Sequence, residues 1–326
     1  MSAPELAIVI PAFRVRFLER TLQSLAAQTD RRFRLYIGDD ASPEPVADEV
    51  KKFSGQLPLV YHRFSENLGG TALTKHWDRC IALSQEPWVW LFSDDDVMEP
   101  DCVAAFYRTL AATAGRFDIY RFDTLFIDEN DRPLKLSPPH PEQETWMEFA
   151  YFLLRFLRMS TAQEVIFSRA AYDRSAGWFD LPLAWGSDHA SQIIWAGTKG
   201  LRRIDGARVQ WRWSGQNLSS TRERKFKMVK IQACMRYVAW LLQRVQEMPD
   251  PHFALPPGVF KPLTRDWFTQ HLVHQRQFYS PGEALQISQF MTHTWGGSVI
   301  INLARLFKIN LLTLRDQAGQ VLRPAR

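Results

Sequence analysis

The chain has 326 residues, 46% of them hydrophobic and 23% charged, with only three cysteines. This composition excludes a disordered chain, and Cys80, Cys102 and Cys234 are too few and too scattered for a disulfide framework or a thiolate zinc site. The net charge of +5 conceals a division: residues 1–200 carry 21 basic and 28 acidic side chains, and residues 201–326 carry 19 and 7, so the two parts face different partners.

The opening MSAPELAIVIPAF has no basic segment ahead of its short apolar run and does not read as a signal peptide. No stretch approaches the roughly 18 uninterrupted apolar residues of a membrane span. A reducing cytosol is the expected compartment. Residues 6–10 form a continuous apolar run ending at Pro11, as a buried parallel strand would. Leu18, Leu22 and Leu25 then recur at helical spacing. Residues 33–37 read as a second strand, stopped by Gly38-Asp39-Asp40, and residues 43–53 as a polar helix with Val46 and Val50 turned inward. A third strand at 59–62 precedes the turn Glu66-Asn67-Leu68-Gly69-Gly70, a helix follows over 71–84, and a fourth strand occupies 88–92. This β-α-β-α-β-α-β order predicts an α/β fold, a doubly wound and mainly parallel sheet with right-handed crossovers.

Further along, residues 118–128 alternate as a long strand at an edge or of mixed type, and 131–141 form a Pro-rich loop. A helix is expected over 145–157, a strand at 164–168, a helix at 186–195 and a strand or hairpin at 201–213. Helical patterns dominate from about Arg222, broken by a linker at 249–262. The expected division is a first domain at 1–215 and a basic, mostly helical extension at 216–326.

In open α/β sheets ligands bind beyond the carboxyl ends of the strands. Four loops there carry polar or turn residues: Pro11-Ala12-Phe13, Asp39-Asp40, Asn67 to Gly70, and Ser93 to Asp96. Asp94-Asp95-Asp96 is the strongest signal, because three adjacent carboxylates repel one another unless a cation compensates. Hard oxygen ligands suit Mg²⁺ or Mn²⁺. A solvated acidic turn ahead of a helix is the alternative. Asp39-Asp40 can accept from a nucleobase or ribose, or can serve a local turn. The Asn67–Gly70 turn lacks the spacing of a P-loop or a dinucleotide fingerprint.

These runs, AIVIPAFRVRFLERTLQSLAAQTDRRFRLYIGDDASPEP, ENLGG and WVWLFSDDDVMEPD, resemble the family 2 glycosyltransferases of the GT-A fold. Four motifs occur in order: the Pro11-Ala12-Phe13 turn, Ser24-Leu25-Ala26-Ala27-Gln28-Thr29, Asp39-Asp40-Ala41-Ser42, and an acidic motif ending at Asp96, four residues before Pro100. The resemblance covers roughly residues 5–213, more loosely after 105. It implies a nucleotide-sugar donor, a UDP-sugar, held by Pro11, Ala12, Phe13, Arg14, Asp39, Asp40, Asn67, Gly69, Gly70 and Asp94. It also implies Mg²⁺ or Mn²⁺ at Asp94, Asp95 and Asp96. Family members often read Asp-x-Asp-Asp here; aligned so, the first position is Ser93 and the metal falls on Asp95, with Asp94 nearer the ribose. Reading Asp94-x-Asp96 would move the metal to Asp96.

The family's general base opens a later helix, a place matched by Trp185-Gly186-Ser187-Asp188-His189. Asp188 is the expected catalytic base, since the acceptor hydroxyl must lose a proton as it attacks; a helix cap is its alternative role. His189 is expected to be packed or exposed. Trp185, Trp195, Trp211 and Trp213 include possible sugar-stacking faces, and none is singled out. The implied activity is inverting transfer to a hydroxyl of a glycan or lipid-linked oligosaccharide, in the setting of surface polysaccharide or lipopolysaccharide synthesis. A non-catalytic binding or polymerisation module and a sugar-phosphate nucleotidyltransferase are the rivals. No nucleic-acid partner is implied. Residues 299–314 place Arg305, Lys308 and Arg315 opposite Ile301, Phe307 and Leu312, as a helix packing its apolar face on its own domain or lying on an anionic membrane. The cluster Arg222 to Lys227 suits lipid head groups or a solvated helix start. The location is expected to be cytoplasmic, with peripheral contact at the inner face of the membrane as the further option.

Overall fold

The computed structural model describes residues 5–215, 223–274 and 278–321, with the side chains of the last segment through residue 313. Two compact units divide the chain, residues 1–220 and 221–326. No helix among the described residues is long and apolar enough to cross a membrane.

The first unit is mixed α/β. Its strands are β1 (Leu6–Ala12), β2 (Phe33–Asp39), β3 (Leu59–Arg63), β4 (Trp88–Leu91), β5 (Val97–Met98), β6 (Ile119–Ile127), β7 (Pro133–Leu136), β8 (Gln143–Glu144), β9 (Val165–Ser168) and β10 (Leu201–Arg212). Its helices are α1 (Leu18–Ala26), α2 (Val46–Lys51), α3 (Leu73–Ile81), α4 (Cys102–Ala112), α5 (Trp146–Leu154), α6 (Arg169–Arg174) and α7 (Ser187–Ala196). The main path across the sheet is β3-β2-β1-β4-β9-β6-β10-β5, with β7 paired to β6 and β8 to β10. β1 pairs in parallel with β2 on one side and β4 on the other. β9 is antiparallel to both its neighbours, β4 and β6, while β6 and β10 are parallel.

The chain winds outward from β1 through β2 to β3, then returns to place β4 on the opposite flank. The order therefore reverses beside β1, and ligands of such sheets sit beyond the strand ends at that switch point. Hydrophobic burial holds the sheet: Ile8, Ile10, Leu22, Leu25, Leu35, Trp90 and Phe106 are fully enclosed in one cluster, each side chain worth about 1.5–3 kcal/mol. Leu18, Leu22 and Leu25 supply the inward face of α1 as their spacing requires.

Three details depart from the sequence reading. β1 does not stop at Pro11: it runs to Ala12, with Pro11 opposite Gly38 of β2. Pairing with β4 ends at Val9 and Leu91, so by Pro11 the strand has one neighbour and a missing N–H is tolerated. Of the two options for β6 the mixed type holds, antiparallel to β9 and parallel to β10, and the edge does not, as its nearly continuous burial reflects. The stretch expected to be a Pro-rich loop contains the exposed strand β7.

The second unit is helical, with α8 (Arg224–Glu247), α9 (Phe260–His274), α10 (Pro281–Trp295) and α11 (Val299–Val321). α9 begins inside the predicted linker, because Pro262 occupies the first helical turn, where its missing N–H costs nothing. α10 starts on a capping box: the Ser280 hydroxyl accepts from the Glu283 N–H, and the Glu283 carboxylate accepts from the Ser280 N–H. Lys227 of α8 is almost wholly buried and donates to Glu283 Oε2 at 2.6 Å and to the Phe278 carbonyl at 2.8 Å. α11 departs most from the sequence reading. Its packed residues are Asn302, Leu306, Asn310 and Thr313, while Ile301, Phe307 and Leu312 are exposed. At 100° per residue, Ile301 and Leu312 share a face with Arg305 and Lys308 rather than opposing them. Arg222 and the Arg315 side chain lie outside the described residues.

Candidate active site

The end of β1 and the end of β4 meet through one carboxylate. Asp94 Oδ2 accepts the backbone N–H groups of Phe13 at 2.9 Å and Arg14 at 3.0 Å. The Pro11-Ala12-Phe13-Arg14 turn is thereby fastened to the acidic segment directly across the switch point. From the other flank, the Ser42 hydroxyl donates to the Phe13 carbonyl at 2.5 Å. The loops after β1, β2 and β4 form one hydrogen-bonded edge.

Asp39 and Asp40 are both buried, and each is occupied within the protein. Asp39 Oδ1 accepts the Ser42 N–H at 2.8 Å, and Oδ2 accepts the Tyr61 hydroxyl at 2.5 Å and Arg63 Nη1 at 2.6 Å. Asp40 builds the next loop: Oδ1 accepts the Leu68 N–H at 2.8 Å and Arg79 Nη2 at 2.5 Å, and Oδ2 accepts the Gly69 N–H at 2.7 Å. Asn67 Nδ2 returns a bond to the Asp40 carbonyl at 3.1 Å, and the Gly70 N–H reaches Asn67 Oδ1 at 3.4 Å. Gly69 is needed for this approach, since a Cβ there would stand 2.6 Å from Asp40 Oδ2. The close contact made by this turn is thus with the chain's own carboxylate. Ala41, between the paired acids and Ser42, holds φ at 51°, a backbone region costly for a residue with a Cβ.

The three consecutive carboxylates are positioned differently from one another. Asp94 is engaged with β1. Asp96 is wholly buried; its Oδ1 accepts the backbone N–H of Arg212 at 2.8 Å, whereas its Oδ2 meets no hydrogen-bond donor among the described residues. Burial pushes Asp96 up to about 7, against the pull of the Arg212 N–H and of the neighbouring Ser93 hydroxyl. Asp95 is driven to about 9, by burial first and then by the charges of Asp96 and Asp94. Burial likewise raises Asp94, opposed by the two N–H groups it accepts.

Among the described residues no group of three His, Cys, Asp or Glu side chains that could hold a metal ion occurs; Asp94 Oδ2 is engaged by the N–H groups of Phe13 and Arg14. Two carboxylates with an unmatched buried oxygen still fit a hard divalent ion that takes its remaining ligands from phosphate and water.

Arg212 was not singled out by sequence. It is 1% exposed, and its guanidinium donates to the Asp95 carbonyl at 2.7 Å and the Asp128 carbonyl at 3.0 Å and pairs with Asp131 at 2.6 Å. It lies 4.5 Å from the Phe17 ring centroid. Its position at the end of β10, between Trp211 and Trp213, was the available signal; a lone strand-end arginine more often faces water. Arg63 at the end of β3 and Arg79 within α3, which anchor Asp39 and Asp40, were missed because an arginine ordinarily faces water.

Asp188 is the second residue of α7, whose cap position is Gly186 at φ 85° with no side-chain cap bond. Asp188 therefore does not hold that helix end, and the capping role is set aside. Its Oδ2 lies 3.8 Å from His189 Nε2, which also sits 3.2 Å from the Ser160 carbonyl. The segment entering α7 is strained: Leu183 and Ala184 have φ of 58° and 52°, just ahead of Gly186. Such positions cost on the order of 1–3 kcal/mol each and cluster at working sites. Asp180 in the same segment accepts the Thr74 hydroxyl of α3 at 2.5 Å, tying the approach to α7 to the helix that follows the Gly69-Gly70 turn. Of the tryptophans, Trp195 is core, stacked on Phe167 at 4.3 Å, while Trp213 is 55% exposed.

This fold is similar to that of S. aureus TarS. TarS 1-349 in complex with UDP-GlcNAc has 12% identity and a TM-score of 0.63, covering 97% of this chain and 92% of that one. A second TarS 1-349 structure has 13% identity and a TM-score of 0.63, covering 99% and 93%. The longer TarS structure has 13% identity and a TM-score of 0.61, covering 95% of this chain and 54% of that one. No curated protein sequence matches. The sheet, its switch point and the helical second unit thus have the GT-A architecture. The model of the family described as glycosyl transferase family 2 matches residues 7–178, just over half of the chain, and the chain belongs to that family.

Proposed function

We propose that the chain moves a sugar, with inversion, from a UDP-sugar to a hydroxyl of a glycan or lipid-linked acceptor of the cell envelope. Residues 1–215 would be the catalytic domain, and 216–326 a basic extension. The observation that carries the reading is the paired Asp95 and Asp96 at the switch point, with Asp96 Oδ2 buried and unmatched. The UDP-GlcNAc seen with TarS, a protein of similar fold, agrees with the donor class.

The turn from Pro11 to Arg14, Asp39, Asp40 and the Asn67–Gly70 loop would hold the nucleotide, Asp40 acting chiefly by shaping the loop it bonds. Asp95 and Asp96 would hold Mg²⁺ or Mn²⁺, which when bound offsets charge on the diphosphate. Asp188 takes the proton of the acceptor hydroxyl as that oxygen attacks the anomeric carbon. The bond to the nucleotide diphosphate breaks with its electron pair passing to the phosphate oxygen, so an α-linked donor gives a β-linked product. Peripheral contact with an anionic membrane at its cytoplasmic face completes the reading, resting on the charge of the C-terminal part.

A thermal-shift series with UDP-, GDP- and dTDP-sugars, each with and without Mn²⁺, tests the donor class. A ligand at one hundred times its Kd adds about 2.7 kcal/mol, a clear shift. UDP-sugars should raise the midpoint most, and more with Mn²⁺; no shift with any of them would contradict the proposal.

A further inference from the structure

Helix α11 packs a narrow, mostly polar strip and leaves its apolar residues outside. Asn302, Asn310 and Thr313 are at most 6% exposed, whereas Ile300 is 77%, Phe307 64% and Leu311 50% exposed. At 100° per residue these last three lie within about 40° of one another, so they form a stripe rather than a scatter. Lys308 lies about 60° beyond Leu311 on the same exposed side, Arg305 lies about 120° beyond it next to Ile301 and Leu312, and no carboxylate occurs from Val299 to Thr313.

At the start of the same helix is a cavity of about 270 Å³, whose lining includes Arg265, Arg305, Asn302, Trp295, Ser298 and Ile301. That is slightly below the roughly 300 Å³ at which small-molecule sites begin, a size suited to a head group. Arg305 is bonded to a neutral partner, Asn302 Oδ1 at 3.3 Å, and Arg265 meets its neighbour Asp266 only at 3.6 Å. Two residues with guanidinium forks, the geometry that binds phosphate oxygens in pairs, thus line a cavity at the start of the helix, on the Arg305 side of its exposed face.

We propose that this end of the second unit docks on a bilayer: Arg265 and Arg305 hold the phosphate of an anionic phospholipid, and Ile300, Phe307 and Leu311 enter the acyl boundary. Charge complementarity selects this occupant. An exposed helix face with Ile300, Phe307 and Leu311 toward one edge, Arg305 at the other, Lys308 between them and no carboxylate matches a surface of anionic head groups over hydrocarbon, the arrangement amphipathic interfacial helices use. The inference deepens the membrane part of the proposed function and rests on it, independently of sugar transfer.

The test is flotation of the full chain with vesicles of phosphatidylcholine alone and of phosphatidylcholine with one quarter phosphatidylglycerol. Wild type should float with the anionic vesicles and lose most, but not all, of that binding at high salt. Near such a surface each cation contributes about fivefold, so Arg265→Gln with Arg305→Gln should weaken binding about twenty-five-fold. Phe307→Ser with Leu311→Ser, both at exposed positions, should abolish the salt-resistant residue of binding. Wild-type binding with no loss in the double arginine variant would overturn the head-group site and leave the membrane reading standing. No binding by wild type to either vesicle would overturn both while leaving sugar transfer untouched, and binding of inorganic phosphate without vesicle binding would assign the two arginines to a free anion and overturn the lipid head-group site.

Discussion

The backbone N–H of Arg212 donates to Asp96 Oδ1 at 2.8 Å across 116 positions of sequence. This bond joins the end of β10 to the acidic segment after β4. The Arg212 side chain simultaneously holds the Asp95 carbonyl and pairs with Asp131, so one buried arginine fixes both the backbone and the charge environment of the carboxylates. Removing one partner of a buried charged network costs about 3–5 kcal/mol. Arg212→Gln should lower stability by that order in urea titrations; a loss below about 1 kcal/mol would show that Asp95 and Asp96 are held without it.

Burial raises both Asp95 and Asp96, the charges of Asp96 and Asp94 raise Asp95 further, and the charge of Arg212 opposes the rise at both. Replacing one should relieve the charge repulsion at the buried cluster while destroying its affinity for metal. Asp95→Asn should therefore melt at or above the wild-type temperature when no metal is added, and should lose the Mn²⁺-induced rise in midpoint. A retained Mn²⁺ shift would move the metal elsewhere.

Asp40 is bonded to the two N–H groups of Leu68 and Gly69 and to Arg79. Asp40→Ala leaves these donors unmatched, at about 1–3 kcal/mol for each buried group. Amide hydrogen exchange across 66–72 should accelerate, and UDP affinity by calorimetry should fall even without metal. Unchanged exchange and unchanged affinity would separate Asp40 from the loop.

Parts of this edge were legible in the sequence and parts were not. Leu18, Leu22 and Leu25 declared α1, and the apolar runs at β1, β2 and β4 declared a parallel sheet, because those patterns follow from burial itself. The strand-tip acids stood out because carboxylates directly after buried strands need a reason. Their partners did not: Arg212, Arg79 and Arg63 are brought in by the fold from distant positions, and an isolated arginine carries no mark of its partner. α11 misled because a helix's buried face was inferred from its apolar residues. Here Asn302 and Asn310 are inside, their amides engaged by Thr292 and Tyr279, and the apolar residues are out.

Glu283 provides a pH-dependent test of the second unit. Burial alone would raise its carboxyl, but the bond from Lys227, with those from Ser280, lowers it below its usual value of 4.5. A depressed carboxyl contributes stability that is present above its unfolded value and lost as pH falls through the folded one. The unit's stability should thus decline below about pH 4.5, and Lys227→Met should remove that part of the decline. An identical acid limb in the variant would contradict the assignment.

The reading of the chain as a transferase turns most directly on Asp188. Asp188→Asn keeps the shape of the side chain but cannot take a proton, and the helix cap at Gly186 does not depend on it. The decisive measurement is transfer or hydrolysis of a UDP-sugar with Mn²⁺ by wild type and by this variant, alongside calorimetric binding of the same donor. Wild type should turn the donor over, and the variant should bind it nearly as well while losing about 10²–10⁴-fold in rate, the usual span of general-base catalysis. A variant within a few-fold of wild type would place the base elsewhere, with Asp180 next to be tested, and a wild type that binds but never turns over the donor would make the chain a binding module.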